Sequence, residues 1–144
     1  MSGMMAVPRV HAHEETRAVR VHEAQTFRAE IPIPPSVNNL FSSVSSGRGG
    51  RTRRIVTSAY RQWKERAGWE LTIAGGKPVR GPYRLTVMLP AKMRGDIDNR
   101  VKATSDLLVS LGLTPDDHHA VSVHAERNAD VPQGRAIVIV ESAA

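Results

Sequence analysis

The chain has 144 residues, a usual length for one domain that buries its own core. It contains no cysteine, which excludes disulfide bridges and thiolate metal sites and fits a reducing compartment. Twenty Lys and Arg against 14 Asp and Glu give a formal charge of +6, which favours a polyanionic partner.

The sequence carries no membrane or export signal that we can identify. No apolar run reaches the length of a membrane span, and the first residues lack the apolar block of a signal peptide. We therefore expect a cytoplasmic protein with no membrane association. Residues 1–25 are polar and show no sustained period, which predicts a flexible extension ahead of one domain formed by residues 26–144.

The first predicted strand begins at Thr26, where apolar and polar residues alternate until a Pro-Pro pair interrupts them. Residues 36–54, SVNNLFSSVSSGRGGRTRR, are rich in Ser and Gly and predict a long loop. We expect the part from Gly47 to Arg54 to be mobile and to contact phosphate groups of a nucleic acid. The candidate contact residues are Arg48, Arg51, Arg53 and Arg54.

A helix and a strand should follow this loop. Thr57 or Ser58 is the expected N-cap of the helix, which has an apolar stripe and stops at Gly75-Gly76. Residues 82–90 then alternate between apolar and polar side chains and are bounded by proline at both ends. This pattern predicts a half-buried strand.

A second amphipathic helix is predicted over residues 99–111, with Gly112 just beyond its end. Two more apolar segments complete the chain as strands. The order of strand, loop, helix, strand, helix, strand and strand predicts an α+β fold. In it, a small mixed or antiparallel sheet packs with two main helices in a single domain.

A small acidic group stands out in this basic chain. Asp96 and Asp98 flank one residue and point the same way in extended backbone. Asp98 could simply cap the second helix. Lys102 and Asp106 follow Asp98 at intervals of four residues, and such a ridge is also typical of a solvated ladder of ion pairs.

These carboxylates could instead hold a metal ion. A further pair, Asp116-Asp117, lies in the turn after the second helix. Mg²⁺ prefers carboxylate oxygens and binds through one or two of them together with substrate phosphate. A bound ion of this kind can activate water for attack on a phosphodiester, while a nearby lysine stabilises the developing charge. Spacing alone leaves both interpretations open.

Four segments together resemble the RusA-type Holliday junction resolvases, endodeoxyribonucleases often found in phages and prophages. They are PPSVNN, the basic Gly/Arg loop before an S-x-Y helix, DIDNRVKATSDLL and GLTPDDHHAVSV. The resemblance spans about Thr26 to Ser142. It implies a Mg²⁺-dependent homodimer, in which we expect Mn²⁺ to substitute, that nicks two opposed strands of a four-way DNA junction during recombination and repair.

The resemblance also implies roles for individual residues. Asp96, Asp98 and Asp117 would be the metal-binding and catalytic carboxylates, and Lys102 an essential basic partner. Asn38 and Asn39 match an early Asn pair, and we expect them to contact DNA or to shape their loop. The chain departs from the family pattern in its N-terminal extension and at Gly95, which interrupts the basic run before the first Asp.

Other functions remain compatible with some of these residues. His118, His119 and His124 beside Asp116 suggest a zinc site or a general base, although a solvated turn explains them as well. A non-catalytic DNA-binding module would use the arginines of the loop and leave the carboxylates as caps and ion pairs. A glycosyltransferase DxD site would need a nucleotide domain, for which the chain is too short.

The spacing of the acidic residues bears on assembly. Resolving a junction requires two symmetric cuts, and each chain carries a single D-I-D motif. A two-fold dimer would supply the two sites. A helix over residues 99–111 is about 20 Å long, whereas residues 112–117 reach back at most about 17 Å. Unless the helix is shorter, this geometry favours a site that Asp117 of a second chain completes.

Overall fold

The computed structural model describes residues 26–46 and 51–143. The predicted N-terminal extension and Arg48 lie outside these residues. The strands are β1 (Thr26–Pro32), β2 (Phe41–Ser46), β3 (Arg51–Val56), β4 (Tyr83–Pro90), β5 (Ala120–Asn128) and β6 (Arg135–Ser142). The helices are α1 (Ser58–Ile73) and α2 (Val101–Ser110), and three 3-10 turns are η1 (Val37–Asn39), η2 (Asp98–Arg100) and η3 (Asp117–His119).

Four strands form a mixed sheet in the order β1-β6-β4-β5. β6 pairs antiparallel with both β1 and β4, whereas β4 and β5 run parallel. A parallel pair needs a crossover connection, and α2 supplies it. The predicted α+β fold with a mixed sheet and two main helices is therefore confirmed.

The core lies between this sheet and the two helices. The predicted stripe of α1 is buried at Tyr60, Trp63, Ala67 and Leu71, and the Trp63 indole N–H donates a hydrogen bond to the Pro32 carbonyl (2.9 Å). The predicted alternation in β4 places Tyr83, Leu85, Val87 and Leu89 in the same core. Among the described residues, no helix is long and apolar enough to cross a bilayer.

The prediction of a long loop over residues 36–54 is wrong for residues 41–46 and 51–54, which lie in β2 and β3. β2 and β3 form a separate antiparallel hairpin, in which Phe41 faces Val56 and Ser43 faces Arg54. Segment 51–56, RTRRIV, contains the β-branched residues that favour strands. The Ser- and Gly-rich composition conceals that preference, and β3 pairs with β2 along its whole length.

The second helix is shorter than predicted, and Asp98 does not cap it. α2 covers ten residues and follows η2, so its N-cap position is Arg100, and no side chain caps it. The chain enters α2 through the turn η2, in place of a side-chain cap. Gly112 ends the helix with a φ of +71°, as predicted.

Candidate active site

The loop between β4 and α2 carries the D-I-D motif and is fixed to the sheet by an arginine of β5. The Arg127 guanidinium donates hydrogen bonds to the carbonyls of Met93 and Gly95, the latter at 2.7 Å. These two bonds hold the backbone immediately before Asp96. We call residues 93–98 the acidic loop.

A second arginine holds the acidic loop from the other side. Arg100 donates to the Pro34 carbonyl (3.0 Å) and to the Arg94 carbonyl (3.4 Å). It thereby joins the segment after β1 to the acidic loop. The turn η1, which carries Asn38 and Asn39, lies against η2 and α2, so the early Asn pair and the acidic loop are neighbours.

The backbone at Gly95 requires a glycine. Its φ is +90°, a region that residues with a Cβ rarely adopt. The residue that departs from the expected basic run therefore makes the turn that presents Asp96.

Asp96 and Asp98 are both exposed to solvent. Asp98 borders an open groove of about 490 Å³, whose other lining residues are Ile97, Val101, Val123, His124 and Ala125. The acidic loop therefore lies over the middle of β5 and not beyond the end of the sheet. Both carboxylates are accessible from solvent.

Lys102 links the start of α2 to the second acidic turn. Its Nζ lies 3.0 Å from an Asp106 carboxylate oxygen and 3.9 Å from one of Asp117. The hydrogen bond with Asp106 is the main cause that raises the pKa of Lys102, and Asp117 adds to it. Within the described part of the chain, Lys102 forms no ion pair with Asp98, so the predicted ladder exists only between Lys102 and Asp106.

Asp117 returns to the helix of its own chain, contrary to the expectation from chain length. The turn folds back because the N–H of Leu113 donates to the Leu108 carbonyl (3.0 Å) and the N–H of Val79 donates to the Leu113 carbonyl (2.9 Å). With Leu113 buried, the next residues pass alongside α2. A site shared between chains therefore no longer follows from chain length, since α2 is short and the acidic loop already lies over β5.

Carboxylate oxygens such as those of Asp96, Asp98 and Asp117 are ligands that suit a hard cation. They do not form a complete metal site by themselves. In residues 26–46 and 51–143, no three His, Cys, Asp or Glu side chains lie close enough to hold a metal ion by themselves. Mg²⁺ needs only one or two carboxylates when a substrate phosphate and water complete its shell. Asp96, Asp98 and Asp117 are each exposed to solvent, and carboxylates are the ligand type that such an ion takes.

The three histidines do not provide an alternative metal site among these described residues. The His118 and His119 rings lie against each other with centroids 4.3 Å apart, and His118 Nδ1 is 3.9 Å from an Asp116 oxygen. Both rings are exposed. They belong to the solvated turn η3.

The basic hairpin, which we define as β2 and β3, begins beside the acidic loop. Thr57 caps α1, as predicted, by accepting a hydrogen bond from the Tyr60 N–H (3.2 Å). Its hydroxyl also donates to the Asn39 carbonyl (2.7 Å). Three of the arginines predicted to contact phosphate lie on β3, namely Arg51, Arg53 and Arg54. Arg54 is exposed.

Two features that shape this region have no signal in the sequence pattern we analysed. Arg100 and Arg127 bind backbone carbonyls from distant segments, and no local pattern marks such contacts. The Phe41 and Tyr60 rings meet edge to face at 6.3 Å, although the composition around Phe41 predicts a loop.

Comparison with known proteins identifies the family of the chain. A family model described as Endodeoxyribonuclease RusA matches residues 32–141. The chain is also 23% identical over 128 residues to the crossover junction endodeoxyribonuclease RusA of Aquifex aeolicus (strain VF5), covering 84% of this chain and 91% of that protein. The matched segment contains the acidic loop, Lys102, Asp117 and the basic hairpin. The chain therefore belongs to the RusA endodeoxyribonuclease family and is a structure-specific endonuclease.

Proposed function

We propose that this protein resolves four-way DNA junctions as a homodimer, by Mg²⁺-dependent hydrolysis of one phosphodiester in each of two opposed strands. The observation that carries the proposal is the pair of exposed carboxylates on a braced loop, followed at the start of α2 by a lysine that lies 3.9 Å from Asp117. In a chain with the RusA family match, this arrangement fits phosphodiester hydrolysis better than DNA binding alone.

The acidic residues would bind the ion that the reaction needs. Asp96, Asp98 and Asp117 supply the oxygens, and Mg²⁺ bound there would polarise the scissile phosphate and lower the pKa of a water molecule. Hydrolysis adds the water oxygen to phosphorus, breaks one P–O bond and leaves a proton on the departing sugar oxygen. We propose that Mn²⁺ substitutes, because it accepts the same hard ligands.

Lys102 has a separate part in the reaction. Its ammonium lies between Asp106 and Asp117 and is half exposed, so it can approach a phosphoryl oxygen without losing its partners. A positive charge placed there stabilises the negative charge that develops in the transition state. A lysine is charged at neutral pH at its ordinary pKa, and Asp106, as the first cause, raises the pKa of Lys102 further.

DNA would reach this site along the basic hairpin. Arg54 is exposed, the neighbouring Asn38 and Asn39 are exposed on η1, and the chain carries a net positive charge. Contacts of this kind recognise phosphates regardless of base sequence. They would orient a branched substrate so that a phosphate meets the acidic loop.

The proposed dimer follows from the need for two cuts and from an uncovered strand. β5 is an edge of the sheet, and its Val121 and Val123 are 57% and 53% exposed. Contact between two copies along this edge would cover Val121 and leave open the groove beside Asp98 that Val123 lines. Because Asp117 approaches Lys102 of its own chain, we propose that each chain forms a complete site.

The test of function compares substrates and ions. The protein should cut a four-way junction in Mg²⁺ with paired, symmetric nicks, and it should leave a linear duplex of the same sequence intact. Omitting the ion or adding EDTA should stop cleavage and preserve binding. Binding without cleavage in any divalent ion would establish the DNA-binding module instead.

The test of site ownership mixes inactive subunits. Asp96→Asn and Asp117→Asn proteins are combined under conditions that allow exchange, and nicking is measured. If each chain forms its own site, every heterodimer stays inactive. Nicks without paired cuts would instead mean that a site is completed between chains, and full-rate cleavage by a monomer would reject the dimer.

A further inference from the structure

Phe41 is a half-exposed aromatic ring with a rigid backing. It opens β2 and is 40% exposed. Its ring meets that of Tyr60 at 80° with centroids 6.3 Å apart. Tyr60 is only 3% exposed, and it stacks on Trp63 at 6.2 Å. The exposed ring is therefore the outer member of an aromatic series that continues into the core.

Cationic side chains flank this series. The Arg54 guanidinium carbon lies 4.6 Å from the centroid of the Phe41 ring, and Lys64 Nζ lies 4.8 Å from that of Tyr60. Arg54 faces Ser43 across the hairpin, which places it diagonally opposite Phe41 on the same face. A flat ring and a positive charge thus share one accessible surface.

This surface adjoins the candidate active site. The pKa of the Tyr60 hydroxyl is raised, first by burial and then by the Asp106 carboxylate, with Lys102 acting in the opposite direction. Tyr60 therefore lies within the electrostatic field of the Lys102–Asp106 pair. Phe41, which contacts Tyr60, is one aromatic ring further out from that pair.

We propose that Phe41 and Arg54 form a stacking platform for an unpaired or unstacked base at the branch point of the DNA. The inference rests on the proposed function for the identity of the DNA. Aromatic rings beside basic side chains bind exposed bases with little sequence preference, because every base has a π-face. A continuous duplex buries its base faces, whereas a branch point interrupts the stack and presents them.

The hairpin contains a matched control for this proposal. Ile55 is also 40% exposed, yet it faces Ser42 and so occupies the opposite face from Phe41. Loss of general apolar surface from the hairpin is tested by Ile55→Ala. Loss of an aromatic face is tested by Phe41→Leu, which keeps apolar contact with Tyr60, and retention of that face by Phe41→Trp.

The experiment measures binding without divalent ions, so that chemistry plays no part. The probe is a four-way junction with 2-aminopurine next to the branch point, and a linear duplex with the same label is the reference. Phe41→Leu and Phe41→Ala should bind the junction about 5- to 100-fold more weakly and lose the fluorescence change. Phe41→Trp and Ile55→Ala should behave like wild type, and duplex binding should change little.

Salt dependence separates stacking from phosphate contact. Phe41→Leu should leave the slope of log affinity against log salt unchanged, whereas Arg54→Ala should lower it by about one unit. A Phe41→Leu protein that binds the junction like wild type overturns the stacking proposal, and so does one whose weaker binding is shared by Ile55→Ala. Thermal unfolding of each variant shows whether Phe41→Ala has lost its fold. If it has, the Phe41→Leu and Phe41→Trp variants decide whether the stacking proposal holds.

Failure of the inference differs from failure of the proposed function. A wild-type protein that prefers and cuts junctions, together with an unaffected Phe41→Leu, overturns the stacking platform alone. A wild-type protein that binds junction and duplex equally overturns both.

Discussion

The acidic loop and the basic hairpin are neighbours, but they are attached to the protein in opposite ways. Arg127 and Arg100 bind three carbonyls of the acidic loop and one of the segment after β1. The three bonds to the acidic loop fix the backbone immediately before Asp96, and those of Arg127 come from a strand more than 30 residues away in the chain. The acidic loop is therefore part of the rigid body of the sheet.

The basic hairpin is joined to the body only near its base within the residues that the structure describes. Thr57 binds the carbonyls of Asn39 and Leu40, Phe41 contacts Tyr60, and the two strands form a sheet of their own. A two-stranded sheet alone is marginally stable. The difference fits the proposed roles of the two regions, because hydrolysis needs fixed carboxylates whereas phosphate contacts tolerate movement.

The largest effect on cleavage is expected from the acidic loop itself. Asp96→Asn and Asp98→Asn should each reduce junction cleavage to background, since a neutral amide weakens the metal site. Junction binding should survive because the basic hairpin is intact. Asp130→Asn, an exposed aspartate in the β5–β6 turn, is the matched control and should cut normally, whereas normal cutting by either loop variant would reject the metal assignment.

The next effect is expected at Lys102. Lys102→Ala should slow cleavage about 100- to 1,000-fold at saturating DNA, because a charge that stabilises the transition state is removed. Lys102→Arg should rescue little, since a planar guanidinium does not replace a compact ammonium. Asp106→Asn should be milder: the pKa of Lys102 falls toward its usual value but Lys102 remains charged at neutral pH. If Lys102→Ala cuts at the wild-type rate, Lys102 has no part in the reaction and only forms ion pairs with Asp106 and Asp117.

A smaller effect on cleavage tests the bracing of the acidic loop. Arg127→Ala should lower the rate and raise the Mg²⁺ concentration for half-maximal rate by about 10- to 100-fold, as is typical when groups that orient metal ligands are removed. Arg127→Lys should recover only part of the activity, because lysine cannot span two carbonyls. Arg84→Ala removes an exposed arginine from β4 and serves as control. An unchanged Mg²⁺ requirement would show that the loop keeps its shape without Arg127.

The smallest effect on the chemical step is expected in the basic hairpin. Replacing Arg51, Arg53 and Arg54 with Ala should weaken binding and reduce the salt slope by about 0.9 for each phosphate that is no longer neutralised. The cleavage rate at saturating DNA should stay near wild type. Arg28→Ala, on the far edge strand β1, should leave the slope unchanged, and an unchanged slope in the triple variant would place the DNA elsewhere.

Sequence pattern predicts the elements whose side chains alternate regularly between core and solvent. β4, the stripe of α1 and the stop at Gly112 follow from local pattern and backbone preference. The hairpin does not, because its stability comes from pairing between two strands whose composition resembles a loop. The predicted length of α2 is too great because the turn η2 uses residues that could equally begin a helix.

The candidate site is predictable in its residues but not in its arrangement. Spacing and family resemblance select Asp96, Asp98, Lys102 and Asp117. The metal-binding role of the three aspartates and the role of Lys102 as their basic partner stay predictions. The return of Asp117 to its own α2 depends on hydrogen bonds of Leu113, and the bracing of the acidic loop depends on Arg127. Contacts between residues so far apart in the chain leave no local signature.

The pairing of β1 with β6 has a consequence for how the chain folds. Thr26 lies opposite Glu141, so β1 cannot pair within the sheet until β6 has formed. Closing so long a loop is slow. We expect β4, α2, β5 and β6 to form the nucleus, with β1 docking afterwards. A circular permutant that joins these adjacent ends and opens the chain between α1 and β4 would turn the longest-range contact into a local hairpin and should fold faster, with the acidic loop unchanged.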